Sequence, residues 1–243
     1  MNKNPEKRKK SKGDKILLIV AILFLIGGVA LLLVDPIKNH IRNKKVDEIT
    51  RQVEEQIELE DVEMTFVVPK DGLEVNGEEY DFYGSDEDIE AMKKELEEAQ
   101  EALPDYVTLT CIGIIDVESV GIHLPIWDEA TQISLRYGAG HLPGSVLPGQ
   151  VGNCTIMAHH MRQEGKMFNY LDRVKKGDAI KITTQGGKEF IYICDEIKVI
   201  DASELIDNAA GNITDTKQIT LITCTYTEQG KKRLLVIGHM NDD

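Results

Sequence analysis

From Tyr106 onward the chain is cut into short apolar runs separated by turn residues, and this texture limits the fold more than any other feature. The runs are Val107–Ile115, Val120–Trp127, Cys154–Ala158, Ala179–Ile182, Phe190–Cys194, Ile197–Ile200, Ile219–Cys224 and Leu234–Ile237. Short strands at such spacing predict a mainly β domain whose sheet closes into a barrel or stacks as a sandwich. The loop from Tyr137 to Asn153 carries five glycines and two prolines. It has neither the Lys-Ser/Thr ending of a phosphate-binding loop nor a helical pattern behind it.

The N-terminal part is built differently. Ile16–Val34 is a run of 19 residues without a charge or a proline, long enough to span a bilayer core as a helix. It is too long for the apolar part of a cleaved signal peptide, and Leu31-Leu32-Leu33-Val34 has no small-residue cleavage pattern. Residues 1–15 therefore read as a basic cytoplasmic tail, 16–34 as an uncleaved signal anchor, and everything from Asp35 as facing outward. Charge follows the same division. Residues 1–45 hold 11 Lys/Arg against 3 Asp/Glu, leaving 17 against 39 in the rest. An anionic body of this kind argues against nucleic acid, whose phosphates need cations to displace their counterions.

Between anchor and strands, Val46, Ile49, Val53, Ile57 and Val62 recur near helical spacing and predict a stalk helix. A strand over Phe66-Val67-Val68 follows, then turns at Asp71-Gly72 and Asn76-Gly77. Ser85 and Asp88 resemble a capping box ahead of a stripe at Ile89, Met92, Leu96, Ala99 and Leu103, a second helix that Pro104 stops. The expected organisation is a juxtamembrane stalk with an accessory helix over 35–104 and a catalytic domain over 105–243. With 42% hydrophobic residues, the chain can bury one good core.

The chemistry concentrates in Gln218–Gly238. Paired as an antiparallel hairpin, its two apolar runs set Cys224 opposite Arg233 at the loop end. A thiol is only a few per cent ionised at neutral pH, so a nucleophilic cysteine needs a positive neighbour or a base. Arg233 offers permanent charge but cannot accept a proton. The base has to be a histidine. His159 and His160 end an apolar strand and start a polar loop, and alternation lets at most one of them face Cys224. On the residues alone, a packed small hydrophobe at position 224 and an edge residue at 233 stand beside the catalytic reading. The four cysteines are too sparse for a disulfide scaffold, and no ligand pair has the spacing of a zinc site.

The sequence also resembles the sortases, cell-surface cysteine transpeptidases of Gram-positive bacteria. Thr220-Leu221-Ile222-Thr223-Cys224 followed by Arg233-Leu234-Leu235-Val236-Ile237 looks like that family's signature. Gly140-His141-Leu142-Pro143-Gly144-Ser145, Ala158-His159, Met167-Phe168 and Lys176-Gly177-Asp178 agree in order. The resemblance implies a closed sortase-type β-barrel of about eight strands with short helices, behind a transmembrane helix. It implies Cys224 as nucleophile, His159 as acid/base and Arg233 as the group steadying substrate and oxyanion, with Thr223 and His141 as substrate-contacting candidates, Thr223 having the simpler role of capping its strand as the alternative. No metal or cofactor is expected. Its partners would be proteins bearing an LPXTG-like sorting signal and an amine acceptor, either a pilin lysine or a peptidoglycan precursor. The loop and the Ala158-His159 pair look most like the pilus-assembling class C. Asp81-Phe82-Tyr83 lacks the proline of that class's lid and the chain ends on polar residues, so housekeeping attachment to peptidoglycan stays open. A membrane-tethered peptide-binding module without turnover and a plain thiol protease are the other readings.

Overall fold

A computed structural model describes residues 12–60, 62–70, 101–160, 167–205, 215–228 and 230–240. The expected helix over 85–103 and the segment Asp81-Phe82-Tyr83 therefore fall almost wholly outside the described residues. The chain divides into two units, one up to Ile41 and one from Arg42 to Asp243.

The first helix, α1 (Lys12–Ile57), is unbroken and holds Pro36 inside it. Two helices had been expected here, an anchor and a stalk. No glycine or turn cluster separates them between Ile37 and Lys45, and extending a helix already formed costs far less than nucleating a second one. In the first unit, Lys15–Val34 is long and apolar enough to cross a membrane, with mean hydropathy 3.3 and no part of it buried. In the second unit, the last turns of α1 bury Val46, Ile49, Val53 and Ile57. Ile49, Val53 and Ile57 pack against Met64, Phe66, Leu109 and Trp127. The expected stalk thus lies against the strands. Val62, expected on the same stripe, is beyond the helix end and exposed.

The strands are β1 (Met64–Pro69), β2 (Tyr106–Val117), β3 (Ile122–Trp127), β4 (Ala139–His141), β5 (Gly152–Met157), β6 (Ala179–Thr184), β7 (Lys188–Ile200), β8 (Lys217–Thr227) and β9 (Gly230–His239). They lie in the order β1-β2-β3-β4-β5-β8-β9-β7-β6, and β6 pairs back onto β2. Eight strands therefore close into a barrel, with β1 added outside. Closure depends on a bulge after Cys111. A side chain at Gly113 would come within 2.5 Å of the Thr183 carbonyl where β6 arrives, so only glycine lets the two backbones meet. The pairs β3–β4 and β5–β8 are parallel and the others antiparallel. The crossover from β3 to β4 is made by a short helix, α2 (Gln132–Tyr137), begun by a capping box at Thr131 and Ser134.

Two strands differ from expectation. Phe190–Cys194 and Ile197–Ile200 are halves of β7, joined through a bulge between Cys194 and Glu196. β4 lies within the glycine-rich loop, where a Cβ on Gly140 would sit 2.5 Å from the Ala130 Cα. Inside the barrel, Ile115, Leu124, Ile156, Ile182, Leu221 and Val236 are among the side chains that form the core.

Candidate active site

Three adjacent strands bring the chemistry together. On the β8–β9 pair Cys224 lies directly opposite Arg233, so the two side chains rise from the same face. On the parallel β5–β8 pair the register runs Ile156 with Leu221 and Met157 with Ile222. Ala158 N–H then donates to Ile222 O at 3.2 Å. Continuing that register by two residues sets His159 level with Cys224. Alternation along the strands decides the face. Ile219, Leu221, Leu234 and Val236 pack in the barrel core, whereas Met157, Ile222, Cys224 and Leu235 pack outside it with Ala130, Leu135 and Leu205. His159, Cys224 and Arg233 therefore share the outer face of the barrel wall. All three are buried, at 2%, 5% and 1% exposure, which removes them from bulk water and strengthens every charge among them.

Burial pushes the His159 imidazole down to about 4, helped by the positive charges of Arg42 and then Arg136. At neutral pH it is uncharged and can accept a proton. The Phe168 N–H holds the His159 carbonyl at 3.1 Å. Arg233 donates through Nη1 to Lys232 O at 3.2 Å, and its buried Nε has no hydrogen-bond partner among the described residues. A guanidinium keeps its charge at any working pH, so this donor is available to an oxygen on which charge develops. The neighbouring Lys232 pairs with Asp201, just past the end of β7.

The other three cysteines pack in the two clusters away from this face. Burial raises Cys111 and Cys154 to about 12 and Cys194 to about 11, where the thiolate is scarce and the sulfur inert. None of the four cysteines forms a disulfide. Among the described residues no group of three His, Cys, Asp or Glu converges as metal ligands.

A sortase-domain family profile matches residues 115–241, just over half of the chain. The chain belongs to the sortase family. The match contains His159, Cys224 and Arg233 and leaves α1 and β1 outside. Curated relatives named Sortase A are 34% identical over 131 residues in Listeria monocytogenes, covering 53% of this chain and 56% of the relative, and 32% identical over 134 residues in Streptococcus agalactiae, covering 53% and 52%. The match thus spans about half the length of these relatives. A solved structure titled "Group B Streptococcus Pilus Island 1 Sortase C2" is 30% identical over 54% of this chain and 74% of its own, with a TM-score of 0.49.

Two candidates of this sortase lie apart from the shared face. Thr223 falls between Ile222 and Cys224 and so points the other way, into the barrel, where its hydroxyl donates to Ala158 O at 2.8 Å. The bond ties two strands together, as the simpler of its two expected roles requires. His141 spends Nε2 within its own loop, against Val146 O at 3.0 Å and Ser145 Oγ at 2.9 Å. Ser145 in turn donates to Leu142 O and accepts from Thr155 N, so His141 clamps the turn before β5. Two residues escaped the sequence reading. Arg42 and Arg136 are buried charges whose fields reach His159. The available clue was Arg42 standing four residues before Val46, on the apolar stripe of α1.

Proposed function

We propose that this sortase is a membrane-anchored cysteine transpeptidase that joins the acyl part of an LPXTG-like sorting signal to an amine. The observation that carries the reading is the level placement of His159, Cys224 and Arg233 on one face of β5, β8 and β9. Neutral His159 takes the proton from Cys224 as its sulfur attacks the threonyl carbonyl of the sorting signal. Arg233 donates to the oxygen that gains negative charge. The imidazolium then protonates the departing glycyl amine, the carbon–nitrogen bond breaks, and a thioester remains. An incoming amine attacks that thioester, gives its proton to His159 and displaces the sulfur, which regains a proton.

In this reading residues 16–34 anchor the chain with the basic tail in the cytoplasm and the 105–243 domain outside. The Gly140–Ser145 loop and Ala158-His159 favour a pilin lysine as the acceptor. The missing proline at Asp81-Phe82-Tyr83 favours a peptidoglycan amine instead, and competition between the two acceptors discriminates. The test of the reaction is mass spectrometry of the full chain in detergent with an LPXTG peptide. An acyl adduct on Cys224, released as an amine-linked product when either acceptor is added, is expected. Hydrolysis unaffected by amines would show a protease, and binding without any adduct would show a module without turnover.

A further inference from the structure

α2 is a helix of six residues with all six side chains buried. A helix of less than two turns has little stability of its own, so tertiary contacts decide how it lies and how it is rotated. Its two sides belong to different clusters. Ile133 and Tyr137, one turn apart, pack with Met64, Phe66 and Val68 of β1 and with Ile49 and Val53 of α1. Leu135, with Ala130 just ahead of the helix, packs in the cluster that contains Cys224, Met157 and Ile222. α2 thus stands between the N-terminal elements and the wall that carries Cys224.

The side toward β1 is also held by polar bonds. The Tyr137 hydroxyl donates to Pro69 O at 3.0 Å, and Arg136 Nη1 donates to Lys70 O. Successive side chains of α2 therefore grip successive carbonyls at the end of β1. That end is itself fixed, since the Lys70 N–H donates to Asp105 O at 3.0 Å and Lys70 Nζ to Leu103 O at 2.7 Å. A phenylalanine would fill the apolar space of Tyr137 equally well. The hydroxyl adds direction, because a buried donor costs stability unless it keeps its acceptor, and so it favours one rotation of α2 about its axis. We propose that Tyr137 is a positioning residue of the active site: its bond to the end of β1 sets the rotation of α2, which holds Leu135 and Ala130 in the wall beside Cys224 and so fixes how closely that thiol is enclosed. The inference rests on Cys224 being the nucleophile, as proposed above. β1 lies outside the family-matched residues 115–241 and α2 inside them, so a strand that precedes the barrel shapes the barrel's site. With the bond cut, α2 rocks and the wall opens. The thiol is then reached more easily by a small reagent and less accurately by a peptide.

The test is site-resolved alkylation. The full chain in detergent is treated with iodoacetamide as the parent, Tyr137→Phe, Leu135→Ala, the double variant and Tyr192→Phe, and each cysteine is followed by mass spectrometry. Transfer of an LPXTG peptide is measured on the same samples, and circular dichroism confirms which variants are folded. In Tyr137→Phe, alkylation of Cys224 should rise several-fold while Cys154 and Cys194 stay at parent rates, and kcat/KM for transfer should fall several-fold. Leu135→Ala should give the same signature, and adding Tyr137→Phe to it should change little more, because both act on one contact. Tyr192→Phe removes another buried hydroxyl, the acceptor of the Gly149 N–H at 2.7 Å, and should move neither readout. An unchanged Cys224 rate in Tyr137→Phe overturns the proposal. So does an equal rise at Cys154, which would mean general loosening, or full additivity with Leu135→Ala. A parent chain that transfers no peptide would instead remove the assignment of Cys224 as nucleophile, while the alkylation pattern would still report on α2.

Discussion

Cys154 and Cys224 sit on paired strands and are both buried, yet their neighbours differ. Cys154 on β5 faces the barrel interior, paired in register with Ile219 on β8. Burial alone acts on it and pushes its thiol up to about 12. Cys224 on β8 faces outward, directly opposite Arg233 and level with His159. The difference is one of parity along a strand. A period of two sends one cysteine into a dry hydrocarbon interior and the other to a wall carrying an imidazole and a fixed cation. Burial of a thiol is thus neutral about function, and the neighbours decide.

The largest effect breaks that pair apart. Cys224→Ala should abolish acyl transfer by roughly 10⁴-fold or more with little change in stability. Cys154→Ala should keep near-full activity and lose about 1 kcal/mol through the small cavity it leaves. Peptide turnover and urea unfolding followed by Trp127, the single tryptophan, check both halves. Equal loss of turnover in the two variants would mean that the outer wall has no special chemistry.

Proton linkage gives the next effect. His159 is about 4 in the folded protein against about 6.5 unfolded, so between those values the unfolded chain binds a proton that the folded one refuses. Stability from this group is fully present above about pH 6.5 and is lost as pH falls toward 4, by up to about 3 kcal/mol. His159→Gln should remove that part of the slope. The measurement is the difference in unfolding free energy between parent and variant at pH 7 and pH 4.5. A difference independent of pH would mean that His159 is not held neutral by its surroundings.

How far these features could be read from the chain depended on whether they were local. The hairpin pairing Cys224 with Arg233 was legible because two apolar runs flank one polar connection. Closure into a barrel was legible only as one of two options, since the β2–β6 contact joins residues distant in sequence and rests on the bulge at Cys111. β7 read as two strands because its bulge interrupts the apolar run with Asp195 and Glu196. β4 was hidden by its length of three residues in a loop of glycines. Arg42 read as one of several cations flanking the anchor, because nothing local marks that α1 buries this residue. Thr223 was open between two roles. Its neighbour Cys224 suggested proximity to substrate, while parity turned it inward.

That inward turn supplies the smallest effect and the finest test of the comparison. The Thr223 hydroxyl gives its hydrogen to the Ala158 carbonyl, one residue before His159, and both groups are buried. Thr223→Val keeps the shape and removes the donor, leaving the carbonyl short of a partner at a cost of about 1 kcal/mol. The end of β5 is then less firmly tied to β8, so kcat should fall a few-fold through looser placement of His159 while KM for the peptide stays unchanged. A substrate-contacting hydroxyl would give the reverse pattern, a raised KM at unchanged stability. Steady-state kinetics and urea unfolding on the same variant separate the two, because parity turns residue 223 into the barrel, where it ties β8 to β5, and residue 224 to the outer side beside His159 and Arg233.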